Sequence, residues 1–246
     1  SKMITVTVTQ DSDAEGPESI VIDLLNPVAV PLGEAVQHIV TIRDDESGAN
    51  KLLYLDGNGD YLEIGRPVSG SFTLETWVYF VDFGVTNVTP AQTTPIFDNH
   101  WNHGDSDFGL YWDFDKIGLA VQNPWAVQTA DSFLPGRWYH LAAVRDMTGN
   151  LASIYINGLL VESAVHSSDR GLSSEPKVWI GRNKRLANLG IASGQYLHAY
   201  LDTCRFWNKA LTASEINQVM HQDLADSDAN LVTALDFGDG TFTDSS

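Results

Sequence analysis

The pattern that most constrains this chain of 246 residues is a long succession of short segments in which apolar and polar residues alternate. Examples are HIVTIRD, SFTLETWVYFV, RWYHLAAVRD and HAYLDTCRFW, with glycine, proline, asparagine or aspartate between one segment and the next. Alternation with period two is typical of β-strands, and many short strands joined by regular turns indicate a sandwich. The sequence therefore predicts an all-β protein.

Two local signals add detail to this prediction. Asn157 and Gly158 lie between two apolar runs in SIYINGLLVE, which is the strongest short signal for a β-hairpin. In LTASEINQVMHQ, Thr212 is followed three residues later by Glu215, and Ile216 begins an apolar set at helical spacing. This is a capping box, so we expect one short helix, packed on an edge of the sandwich.

Composition excludes several classes of partner. The net charge of −18 disfavours nucleic acids and anionic membranes, which would repel the chain. No apolar run reaches the length of a membrane span, so we expect no membrane insertion. Cys204 is the single cysteine and lies in an alternating strand pattern, which favours a buried thiol over a nucleophile.

The N-terminal part is expected to be incomplete as a domain. Residues 1–46 contain three strand patterns, MITVTVTQ, ESIVIDLL and HIVTIRD, which are too few to close a sandwich. The chain also opens inside a strand pattern. We therefore interpret it as a segment of a longer polypeptide, with any secretion signal outside it.

Residues 1–46 resemble the C-terminal half of a Calx-β domain, an Ig-like sandwich. The matching features are the acidic turn after MITVTVTQ, the NP turn, the LG segment and the terminal TIRDD. The resemblance implies that acidic residues of this turn and of the domain's last strand meet at one end of the sandwich and hold calcium.

Residues 51–246, after a linker at 47–50, resemble a laminin G-like domain of the concanavalin A-like jelly-roll class. The segments LYLDGNGDYLEI, SFTLETWVYF, GRWYHLAAVRD, ASIYINGLLV, VWIGR and LDTCRFWNKALTASEI carry this resemblance through their order and spacing. It implies a jelly-roll β-sandwich with one short helix. The two resemblances together imply the domain order of large secreted bacterial adhesins.

The acidic residues at the end of the first domain are candidate calcium ligands. Ca²⁺ takes six to eight oxygen ligands, at about 2.3–2.6 Å, and clustered carboxylates supply them. Carried over from the Calx-β resemblance, the candidate ligands are Asp11, Glu15, Asp44 and Asp45. The alternative is an exposed acidic loop end, which is common in a chain this negative.

A second candidate calcium site involves Asp202 in the segment YLDTCRFW. In the concanavalin A-like class, a carboxylate at this place often binds calcium together with backbone carbonyls of the opening strand, here near residues 56–60. The alternative is an aspartate that accepts hydrogen bonds from backbone amides at a strand edge.

The stretch FDNHWNHGDSDFGLYWDFD, residues 97–115, mixes aromatic rings, imidazoles and carboxamides with carboxylates. Sugars are recognised by stacking on aromatic rings and by planar hydrogen-bonding groups, which usually lie on loops. The residues expected to line a ligand site are Asp98, Asn99, His100, Trp101, His103, Asp105 and Asp107, with Trp125 nearby. The alternative is a solvated loop anchored by Trp101.

A further loop, GRNKRLAN, follows the VWIG strand pattern. Pentraxins, distant relatives in this fold, place calcium-binding acidic residues in such a loop. Lys184 and Arg185 stand here instead, which argues against a pentraxin-type double calcium site. Arg182 and Asn183 are instead candidates for contact with an anionic or hydroxylated ligand.

Four tryptophans and one histidine are expected to be structural. Trp77, Trp112, Trp138 and Trp179 recur on strand patterns at core spacing, and His140 follows Trp138 by two residues. We interpret all five as core residues.

An enzyme is not expected. A glycosidase needs two carboxylates about 5–9.5 Å apart across a cleft. Asp113 and Asp115 are two apart on a strand pattern, but hydrolases of this fold usually carry Glu-x-Asp-x-Glu or a close variant, which is absent here. The sequence also lacks a P-loop and a dinucleotide-binding motif.

The resemblances imply a calcium-dependent binding module of an extracellular adhesin that is secreted and associated with the cell surface. Ca²⁺ would be the bound ion, and glycans or cell-surface proteins the ligands. Neighbouring repeat domains of the same long chain would be further partners. The alternative is a structural spacer with calcium-rigidified joints and no ligand of its own.

Overall fold

A computed structural model describes the backbone of residues 18–23 and 37–42 and, beyond them, residues 52–84, 93–99, 108–121, 125–167, 172, 175–184, 196–222, 228–235 and 237. The chain divides into two compact units, Ser1–Asn50 and Lys51–Ser246. We call them the N-terminal unit and the C-terminal unit. The division falls at the end of the linker predicted at 47–50.

The N-terminal unit contains an antiparallel pair of strands, β1 (Glu18–Asp23) and β2 (Gln37–Ile42). Glu18 pairs with Ile42 at one end, and Asp23 pairs with Gln37 at the other. The predicted strand at MITVTVTQ lies outside the described residues, and so do Asp11, Glu15, Asp44 and Asp45. The Ig-like sandwich and its calcium end therefore stay predictions.

Where the structure describes it, the C-terminal unit is built from short strands and includes a short helix, α1 (Ala213–Val219). The strands are β3 (Leu53–Asp56), β4 (Leu62–Gly65), β5 (Phe72–Phe80), β6 (Thr94–Asp98), β7 (Phe108–Asp113), β8 (Lys116–Val121), β9 (Trp125–Gln128), β10 (Trp138–Asp146), β11 (Leu151–Ile156), β12 (Leu159–Val165), β13 (Lys177–Ile180), β14 (His198–Trp207) and β15 (Leu231–Leu235). Within the described residues, no helix is long and apolar enough to cross a membrane.

The strands of the C-terminal unit form two antiparallel sheets. The large sheet has the order β12-β11-β10-β5-β14, and both β3 and β15 pair with the far side of β14. The small sheet has the order β4-β13-β6-β7-β8-β9. The prediction of an all-β sandwich with one short helix is confirmed.

Apolar side chains from both sheets pack together between them and form the main core. Phe80 of the large sheet stacks on Trp112 of the small sheet with ring centroids 4.0 Å apart. Cys204 is also buried in this core, and burial raises the pKa of its thiol to about 12. The prediction of an inert buried thiol is confirmed.

The predicted structural aromatic residues are all buried, but they do not share one core. Trp112 belongs to the main core between the sheets. Trp77, Trp138, Trp179 and His140 are buried as well, yet they lie outside that cluster, on the outer faces of the two sheets. The prediction that these residues are buried and structural is confirmed, and four of the five pack on the outer faces of the sheets instead of between them.

The two local signals at 157–158 and 212–215 are confirmed. Asn157 and Gly158 connect β11 to β12 with φ values of 51° and 75°, the left-handed conformation that a two-residue hairpin turn requires. The Thr212 hydroxyl accepts a hydrogen bond from the Glu215 N–H, and the Glu215 carboxylate accepts one from the Thr212 N–H at 2.8 Å.

Helix α1 packs on the outer face of the large sheet, so its predicted position at a sandwich edge was wrong. Ile216 is fully buried against a second apolar cluster that includes Ala142 and Val144 of β10 and Trp207 of β14. Both β10 and β14 have other strands on each side. The helix covers this face because these outward-pointing residues are apolar.

Candidate functional site

Asp98, one of the predicted ligand-binding residues, lies at the centre of the outer face of the small sheet. It ends strand β6, and its register partners are Trp179 on β13 and Gly109 on β7. Its side chain is fully buried. The Tyr111 hydroxyl donates to its Oδ1 at 2.7 Å, and the Lys184 N–H donates to its Oδ2 at 3.1 Å. These hydrogen bonds fix the orientation of the carboxylate.

Two glycines make room for aromatic rings on this face. A Cβ atom added to Gly109 would lie 2.4 Å from the Tyr111 hydroxyl oxygen, and one added to Gly118 would lie 2.3 Å from the Trp125 ring. The rings of Tyr111 and Trp125 meet edge to face at 5.7 Å. The glycines therefore let both side chains lie flat against the sheet.

Charged residues flank the face on the side of β4 and β13. The Trp179 indole N–H donates to Glu63 at 2.8 Å, and Lys177 forms an ion pair with the same carboxylate. The hydrogen bond from Lys177, followed by the one from Trp179, lowers the pKa of Glu63. The Lys184 ammonium lies 5.5 Å from the centre of the Trp179 ring.

Asn99, the residue after Asp98, is fully buried at the end of β6. Its amide nitrogen donates to the backbone carbonyls of Glu175, at 3.0 Å, and Lys177. Among the described residues, its side-chain oxygen has no hydrogen-bond partner. A buried acceptor without a donor costs about 1–3 kcal/mol, so a ligand donor or a cation at this oxygen would be stabilising.

The two predicted contact residues after β13 are held by the protein itself. The Arg182 guanidinium lies 4.3 Å from the centre of the Tyr61 ring, a cation–π contact. Asn183 is fully buried, and its amide donates to the Thr93 carbonyl at 3.4 Å. These contacts leave Arg182 at the edge of the small sheet and place Asn183 within the protein.

The sequence therefore identified part of this face. The structure brings Asp98 and Trp125 to it and buries Asn99 next to Asp98, whereas His100, Trp101, His103, Asp105 and Asp107 lie outside the described residues. Sequence reasoning missed Tyr111, Lys184 and Glu63, and it assigned Trp179 to the core. The sequence feature that could have indicated this face is the pair of glycines at 109 and 118, each of which makes room for an aromatic ring.

Asp202 lies at an irregularity of β14. Pairing of β14 with β3 ends at Leu201, and pairing with β15 begins at Cys204. Thr203 has a φ of 51° and donates from its hydroxyl to Asp202 Oδ1 at 3.1 Å.

The structure does not bring Asp202 together with the turn at residues 56–60. Asp56 pairs with His198, which is four residues before Asp202 and so roughly 13 Å away along the strand. In the part of the chain that the structure describes, no three histidine, cysteine or acidic side chains are placed to hold a metal ion. Calcium binding by Asp202 stays a prediction.

A curated protein is similar in sequence to this chain over more than half of its length. Mouse pappalysin-1 is 26% identical over 190 residues, which cover 70% of this chain and 11% of pappalysin-1. The chain thus spans about a tenth of the length of that relative.

Solved structures show the same fold at low sequence identity. A Bacteroides ovatus protein, provisionally assigned as carbohydrate-binding, is 18% identical with a TM-score of 0.59, over 83% of this chain and 56% of its own. A heptameric pentraxin from Limulus polyphemus is 17% identical with a TM-score of 0.55, over 73% and 86%. Domain 4 of the Geobacillus stearothermophilus arabinanase AbnA, solved with arabinotriose, is 16% identical with a TM-score of 0.51, over 84% and 88%.

A family model covers most of the C-terminal unit. It matches residues 56–217, from the end of β3 through most of α1, and it agrees with the two antiparallel sheets and the short helix. The chain therefore belongs to the Laminin_G_3 family of the concanavalin A-like lectin/glucanases superfamily.

Proposed function

We propose that this chain is a calcium-dependent binding module of an extracellular bacterial adhesin that recognises glycans or cell-surface proteins. The observation that carries the proposal is the outer face of the small sheet, where the partly exposed Trp125 packs on Tyr111 and the Tyr111 hydroxyl donates to the carboxylate of Asp98, the register partner of Trp179. Two structures of similar fold support a glycan as ligand, namely the Bacteroides protein and the arabinanase domain with its arabinotriose.

The chemistry of this face suits a sugar. Trp125 is partly exposed and offers an aromatic ring on which the C–H face of a sugar can stack. Glu63 and Lys177, at the other end of the face, offer an acceptor and a donor to hydroxyl groups. Asp98 and Tyr111 are buried, and their hydrogen bond fixes the Tyr111 ring against which Trp125 packs, so binding requires little ordering of this face.

Calcium is the ion that this proposal requires. The buried side-chain oxygen of Asn99 fits a hard cation, and Asp98 beside it supplies negative charge. We propose that both would help to hold the ion, together with Asp105 or Asp107 from the loop that follows. Bound Ca²⁺ would neutralise the carboxylates and hold that loop in place. Asp11, Glu15, Asp44 and Asp45 would hold separate ions at the end of the N-terminal unit.

We also propose that the module has no catalytic activity. Asp113 and Asp115 flank Phe114, whose φ is 58°, in the tight turn between β7 and β8. The Asp113 carboxylate accepts a hydrogen bond from Gln128 at 2.7 Å. The position of these two carboxylates at a hairpin end supports this proposal.

Glycan binding can be tested directly on an array of immobilised oligosaccharides. We expect the wild-type chain to bind at least one glycan, and Trp125→Ala to weaken that binding about tenfold, equivalent to about 1.4 kcal/mol. Phe114→Ala is the matched control, because Phe114 is an exposed aromatic residue of a hairpin turn. The double variant His100→Ala with Trp101→Ala tests the neighbouring loop.

Two results would contradict the proposal. If the wild-type chain binds neither glycans nor cells that carry surface proteins, the module is a structural spacer. If it binds glycans and Trp125→Ala leaves that binding unchanged, the outer face of the small sheet is not the site.

Calcium dependence predicts a change in thermal stability. A ligand that binds only the native state stabilises it by about 2.7 kcal/mol at 100 times its Kd. For a protein of this size we therefore expect a chelator to lower the Tm by about 5–10 °C. Differential scanning calorimetry with calcium, magnesium or EDTA measures this shift.

Substitution of the candidate calcium ligands shows which ions cause the calcium-dependent shift in Tm. Asp98→Asn and the pair Asp44→Asn with Asp45→Asn should each reduce the calcium-dependent part of the shift. Asp131→Asn, which changes an exposed aspartate, should leave it intact. A Tm that is the same with calcium and with chelator would exclude calcium dependence.

A further inference from the structure

Four aromatic residues form one row across the outer face of the large sheet. Tyr54, Tyr200, Tyr79 and Trp138 occupy paired register positions on the neighbouring strands β3, β14, β5 and β10. Successive ring centroids are 4.6, 6.0 and 5.8 Å apart. Leu55, the residue after Tyr54, lies in the main core, so the row points away from it.

Exposure increases along this row toward the edge of the sheet. Trp138 is buried, Tyr79 and Tyr200 are half-buried, and Tyr54 is 45% exposed. The rings of Tyr54 and Tyr200 stack at an angle of 29°, so Tyr200 covers one face of Tyr54. Since Tyr200 covers this face, we infer that the exposed part of the side chain includes the opposite face of the Tyr54 ring.

Hydrogen bonds hold the Tyr54 ring in position. Its hydroxyl lies 3.2 Å from His198 Nε2, and His198 Nδ1 lies 2.8 Å from the carboxylate of Asp82. Because a carboxylate accepts hydrogen bonds, Nδ1 carries a hydrogen, and in the neutral imidazole Nε2 then accepts from the tyrosine hydroxyl. The ring is therefore oriented before any ligand binds.

Acceptors for hydroxyl groups lie beside the ring. The Asp82 side chain is 64% exposed, although it is hydrogen-bonded to His198. Asp56 is the register partner of His198 and is also exposed, with one carboxylate oxygen accepting from the Asn58 N–H at 2.7 Å. An open aromatic face with polar acceptors at its side is the arrangement that recognises a sugar ring.

We propose that the Tyr54 surface, made of Tyr54, Tyr200, His198, Asp82 and Asp56, is a second glycan-binding site. The C–H face of a pyranose would stack on the open face of Tyr54, and its hydroxyl groups would donate to Asp82 and Asp56. This proposal rests on the glycan-binding function proposed above. It places a site on the outer face of the large sheet, on the opposite side of the sandwich from Asp98.

The charge of the Tyr54 surface selects the class of glycan. It contains two carboxylates and neither lysine nor arginine, in a chain whose net charge is −18. Sialylated, sulfated and uronic acid sugars would be repelled, since their charges would lie close to Asp82 and Asp56. The expected ligand is therefore an uncharged oligosaccharide.

The test uses the full chain and uncharged tetrasaccharides of glucose, xylose and N-acetylglucosamine, with a galacturonic acid oligomer as the anionic comparison. We expect Tyr54→Ala to weaken binding of at least one uncharged tetrasaccharide about tenfold in isothermal titration. Tyr54→Phe keeps the ring but loses the hydroxyl, so a smaller loss of about threefold is expected. Leu160→Ala is the matched control, since Leu160 is exposed on β12 at the other edge of the large sheet.

The two sites can be separated in the same experiment. Binding that depends on Tyr54 should survive Trp125→Ala, and the double variant Tyr54→Ala with Trp125→Ala should lose more affinity than either single variant. If uncharged tetrasaccharides bind but every one is indifferent to Tyr54→Ala, the Tyr54 site is excluded and the proposed function stands. If no glycan binds the wild-type chain, glycan recognition fails at both sites.

Discussion

Replacing Arg205 by methionine is expected to lower the free energy of unfolding by about 3–5 kcal/mol. Arg205 and Glu75 are both buried on the outer face of the large sheet, and one guanidinium nitrogen lies 2.8 Å from the Glu75 carboxylate. Burial raises the pKa of Glu75, and the charge of Arg205 opposes that rise. Removing the guanidinium would leave a buried carboxylate without its counter-charge.

Arg205 also holds the end of helix α1. Its guanidinium donates to the backbone carbonyls of Val219 and Gln222, and the Trp77 indole N–H donates to the Met220 carbonyl at 3.1 Å. The last carbonyls of a helix have no partner within the helix itself. Arg205→Met therefore removes the contact to the last helical carbonyl, that of Val219, and the contact to Gln222 after the helix, as well as the ion pair.

Denaturant unfolding followed by circular dichroism measures this effect. Lys209→Met is the matched control, because Lys209 pairs with Glu215 at the partly exposed start of the same helix. Partly exposed ion pairs contribute about 0–1 kcal/mol, so the free energy of unfolding of Lys209→Met should stay close to that of the wild type. A loss below about 1 kcal/mol for Arg205→Met would show that the buried pair contributes little net stability.

Local signals predicted the elements of the fold well. The hairpin at Asn157 and the capping box at Thr212 depend on residues adjacent in sequence, and both are present. The position of α1 could not be predicted in the same way, since it depends on which outward residues of β10 and β14 are apolar. Ala142 and Trp207 belong to that set, and they are far apart in the sequence.

Period-two alternation predicts which residues share a face of a strand, but not which face is buried. In β5 nearly every residue is buried, because both faces of the strand are covered. The main core covers one face. Helix α1, the segment after it and the aromatic neighbours of Tyr79 cover the other. Trp77 therefore has the burial of a core residue, yet it packs with its ring 5.3 Å from the ring of His140 on the outer face. Sequence alone could not separate these two environments.

The residues of the two proposed binding faces could be identified from the sequence where they lie in one polar and aromatic stretch, but not where strand register brings them together. Asp98 and Asn99 belong to a stretch rich in polar and aromatic residues, which sequence reasoning identified. The row from Tyr54 to Trp138 combines four distant segments, and only the pairing of β3, β14, β5 and β10 brings them together. Such long-range register is not evident in one sequence.

Mild acid is expected to destabilise the fold through His140. This residue is buried between Glu75 and Trp77, with Nε2 3.7 Å from the second Glu75 oxygen. Burial, followed by the charges of Arg205 and His221, lowers the pKa of His140 from 6.5 to about 3. Its imidazole is therefore neutral in the folded protein at pH 7.

Unfolding exposes His140 and returns its pKa to the ordinary value, so the unfolded chain takes up a proton that the folded protein does not bind. Stability should fall as the pH decreases from about 6.5 toward 3, by about 1.4 kcal/mol per pH unit from this residue. At pH 4 the contribution amounts to about 3 kcal/mol. Denaturant unfolding at several pH values, with wild type and His140→Gln, measures it as the difference between the two slopes.

A second measurement stays valid if His140→Gln does not fold. The imidazole resonances of His140 in the wild-type protein, followed by NMR, should show no titration between pH 7 and pH 4. An imidazole that titrates near 6.5 in the folded state would contradict the prediction, because folded and unfolded chains would then bind the same number of protons. In that case the proton would be shared with Glu75, and the buried group would be an ion triad of His140, Glu75 and Arg205.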